Sequence, residues 1–199
     1  MKHLFLVFTT LLLSVSSLLA QRDDPPQTLV GNGVESVSGF GGMMLQFSSI
    51  DGDAAVFTGG GGAVLFNRQF YFGGYGLGLS SDLKVDVDGS DYTVDYGHGG
   101  FYLGYIFAPE KLAHWSFSTK LGWGQANLRN VSQFVGPNYS DNTFSITPMI
   151  EGELNVTNWF KLNAGVGYQY TVGVDNDLFD KNAFNSPAVG LSFLFGWFN

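Results

Sequence analysis

Four charged side chains could act together, although they are far apart in the chain. Lys120, Glu151, Glu153 and Lys161 occupy polar positions in segments where polar and apolar residues alternate. Carboxylates and amines at such positions can neutralise each other as buried ion pairs or line a narrow, ion-selective path. If the polar faces turn toward an interior, the opposite charges must pair there, because an isolated buried charge is costly. We therefore predict an interior polar network with a structural role, formed by Lys120, Glu151, Glu153 and Lys161.

A run of aspartates offers oxygen ligands for a cation. Asp86, Asp88 and Asp91 are closely spaced, as calcium ligands often are. The run lacks the distal glutamate of an EF-hand, and strand-like segments flank it rather than helices. A solvated acidic loop explains the same residues, so they are only weak candidates for a loop cation site. We predict no resident metal and no cofactor.

The composition of the 199-residue chain restricts the class of protein. Hydrophobic residues make up 45% and charged residues 13%, about half the usual charged share. The absence of cysteine excludes disulfide scaffolds and cysteine-ligated metal sites. A formal net charge of -8 argues against nucleic acid as a partner. The 28 glycines and the 16% aromatic content favour strands and tight turns over helices.

The first part of the chain is predicted to serve export. Lys2 precedes an apolar run at 4–13 and smaller residues up to Ala20, which is the layout of a cleaved secretory signal. Cleavage near Ser17 is an alternative, and so is an uncleaved anchor helix, although the run is shorter than the roughly 20 residues that a bilayer requires. We predict a signal peptide at 1–20 with secretion via the Sec route, a flexible lead-in at 21–38 and one domain at 39–199.

From residue 39 onward, apolar and polar residues alternate with a period of two. In 160–172, for example, every second residue is apolar, which places the apolar side chains on one face of a strand. Within 91–107 the alternation changes phase at 97–100, which predicts a bulge or bend. The pattern predicts about eight strands, at 40–49, 54–66, 70–80, 91–107, 115–123, 144–154, 160–172 and 189–197.

Short and long connections alternate along these strands. After a first connection at 49–53, the short ones are 67–69, 108–113 and 155–158, and the long ones lie between them. Outer-membrane barrels have an even strand number, short periplasmic turns and longer outer loops. The sequence therefore predicts an all-β fold, a closed antiparallel transmembrane β-barrel of about eight strands in an up-and-down meander. A soluble β-sandwich or lipocalin-like barrel is the alternative.

The signal, the glycine- and aromatic-rich strands and the ending at 191–199 resemble the small outer-membrane β-barrel proteins of Gram-negative bacteria. Leu191, Phe193, Phe195 and Trp197 match the alternating terminal strand of that family, although Asn199 follows Phe198 where the family usually ends in an aromatic residue. The resemblance implies location in the bacterial cell outer membrane, contact with outer-membrane lipid and recognition of the C-terminal strand by the barrel-assembly machinery. We expect a monomer and name no protein partner.

A histidine and a serine two residues apart raise the question of catalysis. Some outer-membrane barrels that hydrolyse lipids have this spacing, and His114 and Ser116 share one face of a predicted strand. His114, however, lies at the predicted periplasmic end, away from the outer leaflet. We predict that the protein is not an enzyme.

The most favoured function is a structural or surface-interaction role, with acidic outer loops and a lumen filled by side chains, because eight strands leave an interior that side chains just fill. A narrow, porin-like channel for small solutes or ions is the alternative. A lipid-modifying enzyme of the outer leaflet is the third hypothesis.

Overall fold

The computed structural model describes residues 33–87, 90–130, 139–174 and 181–198, and only the backbone of residues 85–87, 90, 91 and 130. Alternating residues with high β propensity form strands, and turn residues separate them. The strands are β1 (Val37–Ile50), β2 (Asp53–Phe66), β3 (Phe70–Leu79), β4 (Lys84–Val87), β5 (Ser90–Phe107), β6 (Ala113–Asn130), β7 (Tyr139–Asn155), β8 (Phe160–Val172) and β9 (Ser186–Trp197).

The strands close into one antiparallel barrel. Each long strand pairs with the next in the chain, β1 pairs with β9, and β3 pairs with β5. The short β4 pairs with the beginning of β5, beyond the part of β5 that pairs with β3. β3 and β4 therefore occupy one strand position in the wall, and the barrel has eight strand positions. Closure removes the sheet edges at which backbone groups would lack partners. The predicted closed antiparallel barrel of about eight strands in up-and-down order is confirmed.

The two ends of the barrel differ in their connections. At one end, which we call the turn end, the strands are joined by short turns at 67–69, 108–112 and 156–159. At the opposite end, the loop end, a tight turn at Asp51 and Gly52 joins β1 to β2, and the connections at 80–83, 131–138 and 173–185 are longer. Strand β1 begins at the turn end, at Val37, two residues before the predicted boundary, because Val37 pairs with Phe66. The predicted signal peptide at 1–20 lies outside the described residues.

Strand β5 corrects one prediction. Its register with β6 is continuous from Tyr92 to Phe107, with no extra residue at 97–100. Tyr96 and Tyr102 both face inward and are buried, whereas Phe101 faces outward. The predicted bulge is therefore wrong. The apolar residues change from one face of the strand to the other because aromatic rings fill the interior near the loop end, whereas the backbone alternates without interruption.

The interior is filled by side chains whose character differs around the wall. Strands β1, β2, β3 and β5 contribute mainly aromatic and aliphatic groups, whereas β6, β7 and β8 contribute mainly polar ones. Inward-facing glycines make room for the rings: a Cβ on Gly122 would overlap the Tyr75 hydroxyl, and one on Gly104 would overlap that of Tyr71. The Tyr75 hydroxyl also contacts His98 Nδ1 at 2.9 Å. The largest buried apolar side chains are Tyr71, Tyr102, Phe57, Phe184, Met44, Leu65 and Met149.

We expect Gly122→Ala to lower the free energy of unfolding by about 1–3 kcal/mol, because the added methyl group displaces Tyr75 in a packed interior. Gly76→Ala is the matched control, since Gly76 faces outward and a Cβ there meets no atom within 4 Å. The control should leave stability unchanged or raise it by about 0.4–1 kcal/mol. Urea unfolding followed by tryptophan fluorescence measures both variants, and equal effects would contradict the described packing.

The outward face is largely apolar. Met43, Trp123, Ile150 and Val166 are each more than half exposed, although they are among the most hydrophobic residue types. Soluble proteins rarely expose large apolar patches without a partner for them. Among the described residues, no helix is long and apolar enough to cross a bilayer.

Candidate functional site

The first group of buried charges lies near the turn end, where β6, β7 and β8 are neighbours. Glu153 Oε2 lies 3.1 Å from His114 Nε2 and 3.5 Å from Lys161 Nζ. The other ring nitrogen of His114, Nδ1, lies 3.0 Å from the carbonyl oxygen of Lys111. A carboxylate and a carbonyl are both acceptors, so both contacts are hydrogen bonds only when His114 is an imidazolium. Glu153 is then the shared acceptor of two cations.

A second pair of charges lies one layer deeper in the lumen. Lys120 Nζ donates to Gln46 Oε1 at 3.3 Å and contacts Met149 Sδ at 3.3 Å. Glu151 is 3% exposed and interacts electrostatically with Lys120 and Glu153. Its Oε2 atom has no hydrogen-bond partner among the described residues. The structure thus places Lys120, Glu151, Glu153 and Lys161 in one buried region, and their role as a structural network stays a proposal.

Hydrogen bonds continue from Lys120 across the lumen toward the loop end. Gln46 Nε2 donates to Gln169 Oε1 at 2.7 Å, which connects β1 to β8 through the interior. Gln169 contacts Thr171 at 3.4 Å, Thr171 contacts Ser145 at 3.0 Å, and Ser145 contacts the Tyr96 hydroxyl at 2.8 Å. Sequence reasoning placed Gln169 on a polar face but did not identify these partners, because Gln46 and Gln169 are 123 residues apart.

The loop end contains a feature that sequence reasoning missed. Residues 182–185, which we call the plug turn, place Phe184 inside the barrel, where it is 0% exposed and its ring centroid lies 4.8 Å from that of Tyr96. Asp51 N donates to the Ala183 carbonyl at 2.7 Å, and Thr171 N donates to Asn185 Oδ1 at 2.6 Å. The plug turn is therefore held at its backbone and its side chains. The only sequence signal was an aromatic residue inside a polar loop.

The aspartates suggested as weak cation ligands lie largely outside the described residues, so that hypothesis stays a prediction. Asp86 and Asp91 are opposite each other in the β4–β5 pairing, their side chains are outside the described part, and Asp88 is outside it altogether. Within the described ranges, no group of three or more histidine, aspartate or glutamate side chains could hold a metal ion. Ser116 and His114 are buried at the turn end. His114 Nε2 contacts Glu153 Oε2, and Ser116 Oγ has no hydrogen-bond partner among the described residues.

The described aspartates all lie at the loop end. They are found in loop-end connections or in adjoining strand segments, and they number seven: Asp51, Asp53, Asp82, Asp86, Asp91, Asp95 and Asp141. Three described basic residues, Lys84, Arg129 and Lys181, share that end, so the formal charge of the residues described there is -4. Arg129 forms an exposed ion pair with Asp95 at 2.7 Å. The residues described at the loop end therefore have an excess of negative charge, whereas the turn end contains the four glutamates and as many basic residues.

These features define a small closed β-barrel with an apolar outer wall, a packed lumen and one acidic end. Among solved structures, the chain is similar to Neisserial surface protein A, with a TM-score of 0.51 and 12% identity over 84% of this chain and 100% of that one. It is also similar to the attachment invasion locus protein Ail of Yersinia pestis, with a TM-score of 0.48 and 13% identity over 81% and 96%. The N-terminal β-barrel domain of Pseudomonas aeruginosa OprF gives a TM-score of 0.47 and 13% identity over 83% and 100%.

No family model and no curated protein matches the sequence. The comparisons therefore support the fold, that of small eight-stranded outer-membrane barrels.

Proposed function

We propose that the protein spans the bacterial outer membrane and has a structural or surface-interaction role, with a sealed lumen and an acidic surface at the loop end. The proposal rests on the distribution of apolar and charged side chains, which is the reverse of that in a soluble protein. Trp123, Ile150 and Val166 are 56%, 59% and 62% exposed on the outside, whereas Lys120 and Glu151 are buried inside. Lipid hydrocarbon stabilises this arrangement, because it covers the apolar wall. The closed barrel pairs its own backbone groups, which hydrocarbon cannot do.

Aromatic side chains support an orientation within the membrane. Trp115, Trp159 and Trp197 are all exposed near the turn end. Amphipathic rings favour the boundary between lipid and water, so these residues fit one membrane interface. We propose that the turn end faces the periplasm and the acidic loop end faces outward. A signal peptide at 1–20 and recognition of β9 by the assembly machinery would deliver the chain, which we propose acts as a monomer.

The lumen supports a sealed barrel rather than a channel. Phe184 fills its loop end, and the Lys120–Gln46–Gln169 hydrogen bonds cross it farther in. Planar bilayers distinguish the two functions. The sealed barrel is silent, and the narrow-channel alternative gives discrete single-channel steps.

We expect the chain to refold in detergent into a strand-dominated form whose mobility on SDS gels differs between unheated and boiled samples, because the closed barrel resists SDS until it is heated. Far-UV circular dichroism and paired gel lanes measure this. A boiled sample of the same preparation is the control. A protein that is folded and monomeric without detergent would contradict a membrane location, since its apolar wall would then have to be buried by protein.

A further inference from the structure

A cavity of about 350 Å³ lies at the turn end of the barrel. Residues of the three short turns line it, together with Asn155, Lys161 and Phe198. Its charged lining residues are Arg68, Lys161 and Glu110, with a formal sum of +1. Small-molecule sites commonly have volumes of about 300–1,000 Å³. The cavity is therefore large enough for a small ligand, and its charge favours an anion.

The backbone at Arg68 is strained, and local contacts do not offset the strain. Asn67 and Arg68 have φ values of 49° and 61°, both in the left-handed region. Gln69 N donates to the Phe66 carbonyl at 3.0 Å, so Asn67 and Arg68 are the two central residues of a β-turn within this connection. Turns with two central residues in the left-handed region favour asparagine followed by glycine. Asn67 fits its position, because its Oδ1 accepts hydrogen bonds from the backbone of Glu35 and Ser36 at 2.8 and 3.2 Å. Arg68 stands where glycine would be less strained.

The guanidinium group of Arg68 has a hydrogen-bond donor that needs an acceptor. Its Nε atom is buried and has no hydrogen-bond partner among the described residues. A buried donor without an acceptor is destabilising. The side chain thus adds a second cost to the strained turn, and an acceptor inside the cavity would offset both.

Lys161 supplies a second cation to the same cavity. It is 3% exposed, and its Nζ lies 4.6 Å from the centre of the Phe198 ring. Its carboxylate partner, Glu153, is 3.5 Å away and is shared with His114. Arg68 acts on Lys161 as a like charge. An anion bound in the cavity that both cations line would offset their repulsion.

Other lining residues limit the kind of anion. Thr157 Oγ1 accepts a hydrogen bond from Trp159 N at 3.2 Å, and its hydroxyl hydrogen remains able to donate. Glu110 adds a negative charge to the lining, which disfavours ligands with two or more negative charges. A planar carboxylate also matches the fork of a guanidinium group.

We propose that this cavity binds a small organic monocarboxylate, with the carboxylate held by Arg68 and Lys161. This assignment goes beyond the proposed function and depends only on the folded barrel. An unchanged difference between unheated and boiled gel lanes shows that the barrel is intact, which separates failure of this proposal from failure of the membrane proposal.

The test uses the barrel refolded in detergent and labelled with nitrogen-15. N-acetylalanine is the probe, alaninamide is the control without a carboxylate, and inorganic phosphate is the competing anion. The chain has three arginines, so the Nε–H signal of Arg68 is identified by its loss in Arg68→Gln. We expect N-acetylalanine to shift this signal saturably and to leave that of Arg129 in place, because Arg129 already pairs with Asp95 in solvent.

Variants separate binding from folding. Arg68→Gln should weaken binding of N-acetylalanine by about tenfold or more, since a charge-assisted hydrogen bond is lost, whereas Arg129→Gln should leave it unchanged. Arg68→Gly should also lose binding and yet keep or raise the urea midpoint, because glycine relieves the turn. The proposal is overturned if the Arg68 and Arg129 signals shift equally, if phosphate binds more tightly than N-acetylalanine, or if neither probe shifts the Arg68 signal.

Discussion

Replacing Glu153 by methionine is expected to lower the free energy of unfolding by about 3–5 kcal/mol, as for other buried ion pairs that lose one partner. Glu153 Oε2 is the acceptor for His114 and Lys161, at 3.1 and 3.5 Å. Methionine has a similar length but no acceptor, so Lys161 would stay buried without a carboxylate. Urea unfolding of the barrel refolded in detergent measures the loss.

Two further variants separate charge pairing from packing. The double variant Glu153→Met/Lys161→Met should recover most of the stability, because it removes both members of the pair together. Asp95→Asn is the exposed control, since the Asp95–Arg129 pair is about half exposed, and we expect it to cost no more than about 1 kcal/mol. If Glu153→Met cost no more than Asp95→Asn, the buried charges would not stabilise each other as proposed.

The second large effect is expected at the plug turn. Phe184→Ala should lower stability by about 3–5 kcal/mol, because it removes a fully buried ring and leaves a cavity beside Tyr96. The plug turn should also open more often. Lys181 is exposed immediately before the turn, so the rate of tryptic cleavage there should rise by about two to three orders of magnitude, given that each 1.4 kcal/mol of opening free energy is a factor of ten.

The conservative variant Phe184→Leu tests the same contact with a smaller change. It keeps an apolar side chain in the lumen and should show only a fraction of both effects. If Phe184→Ala left unfolding and the rate of cleavage unchanged, Phe184 would not close the loop end of the barrel in solution.

Alternation along the chain was sufficient to predict the wall of this barrel. A strand places successive side chains on opposite faces, so every second residue in 160–172 had to share an environment. Glycine and turn residues marked the strand ends, and the lengths of the connections favoured an up-and-down order. These are local properties, which is why they could be read without knowing any partner.

The same logic failed where the interior is itself apolar. In β5 the sequence showed Tyr92, Val94 and Tyr96 in one phase and Phe101 and Tyr105 in the other, which was interpreted as a bulge. Near the loop end the inward face of this strand is apolar, because rings fill the lumen there. Near the turn end its outward face is apolar. An apolar side chain suits both a protein interior and an apolar surrounding. Hydrophobicity alone therefore could not decide which face of β5 points into the barrel.

Sequence alone was sufficient to place Lys120, Glu151, Glu153 and Lys161 on the inward face of the wall, where the structure buries them. Only the tertiary structure decided which of these groups meet: Gln46 with Gln169, Glu153 with both His114 and Lys161, Phe184 with Tyr96, and Arg68 with the turn-end cavity. The physical reason is that strand periodicity is a local property of the backbone. Contacts across the lumen depend on closure and register, which bring together residues as far apart in the chain as Gln46 and Gln169, 123 positions.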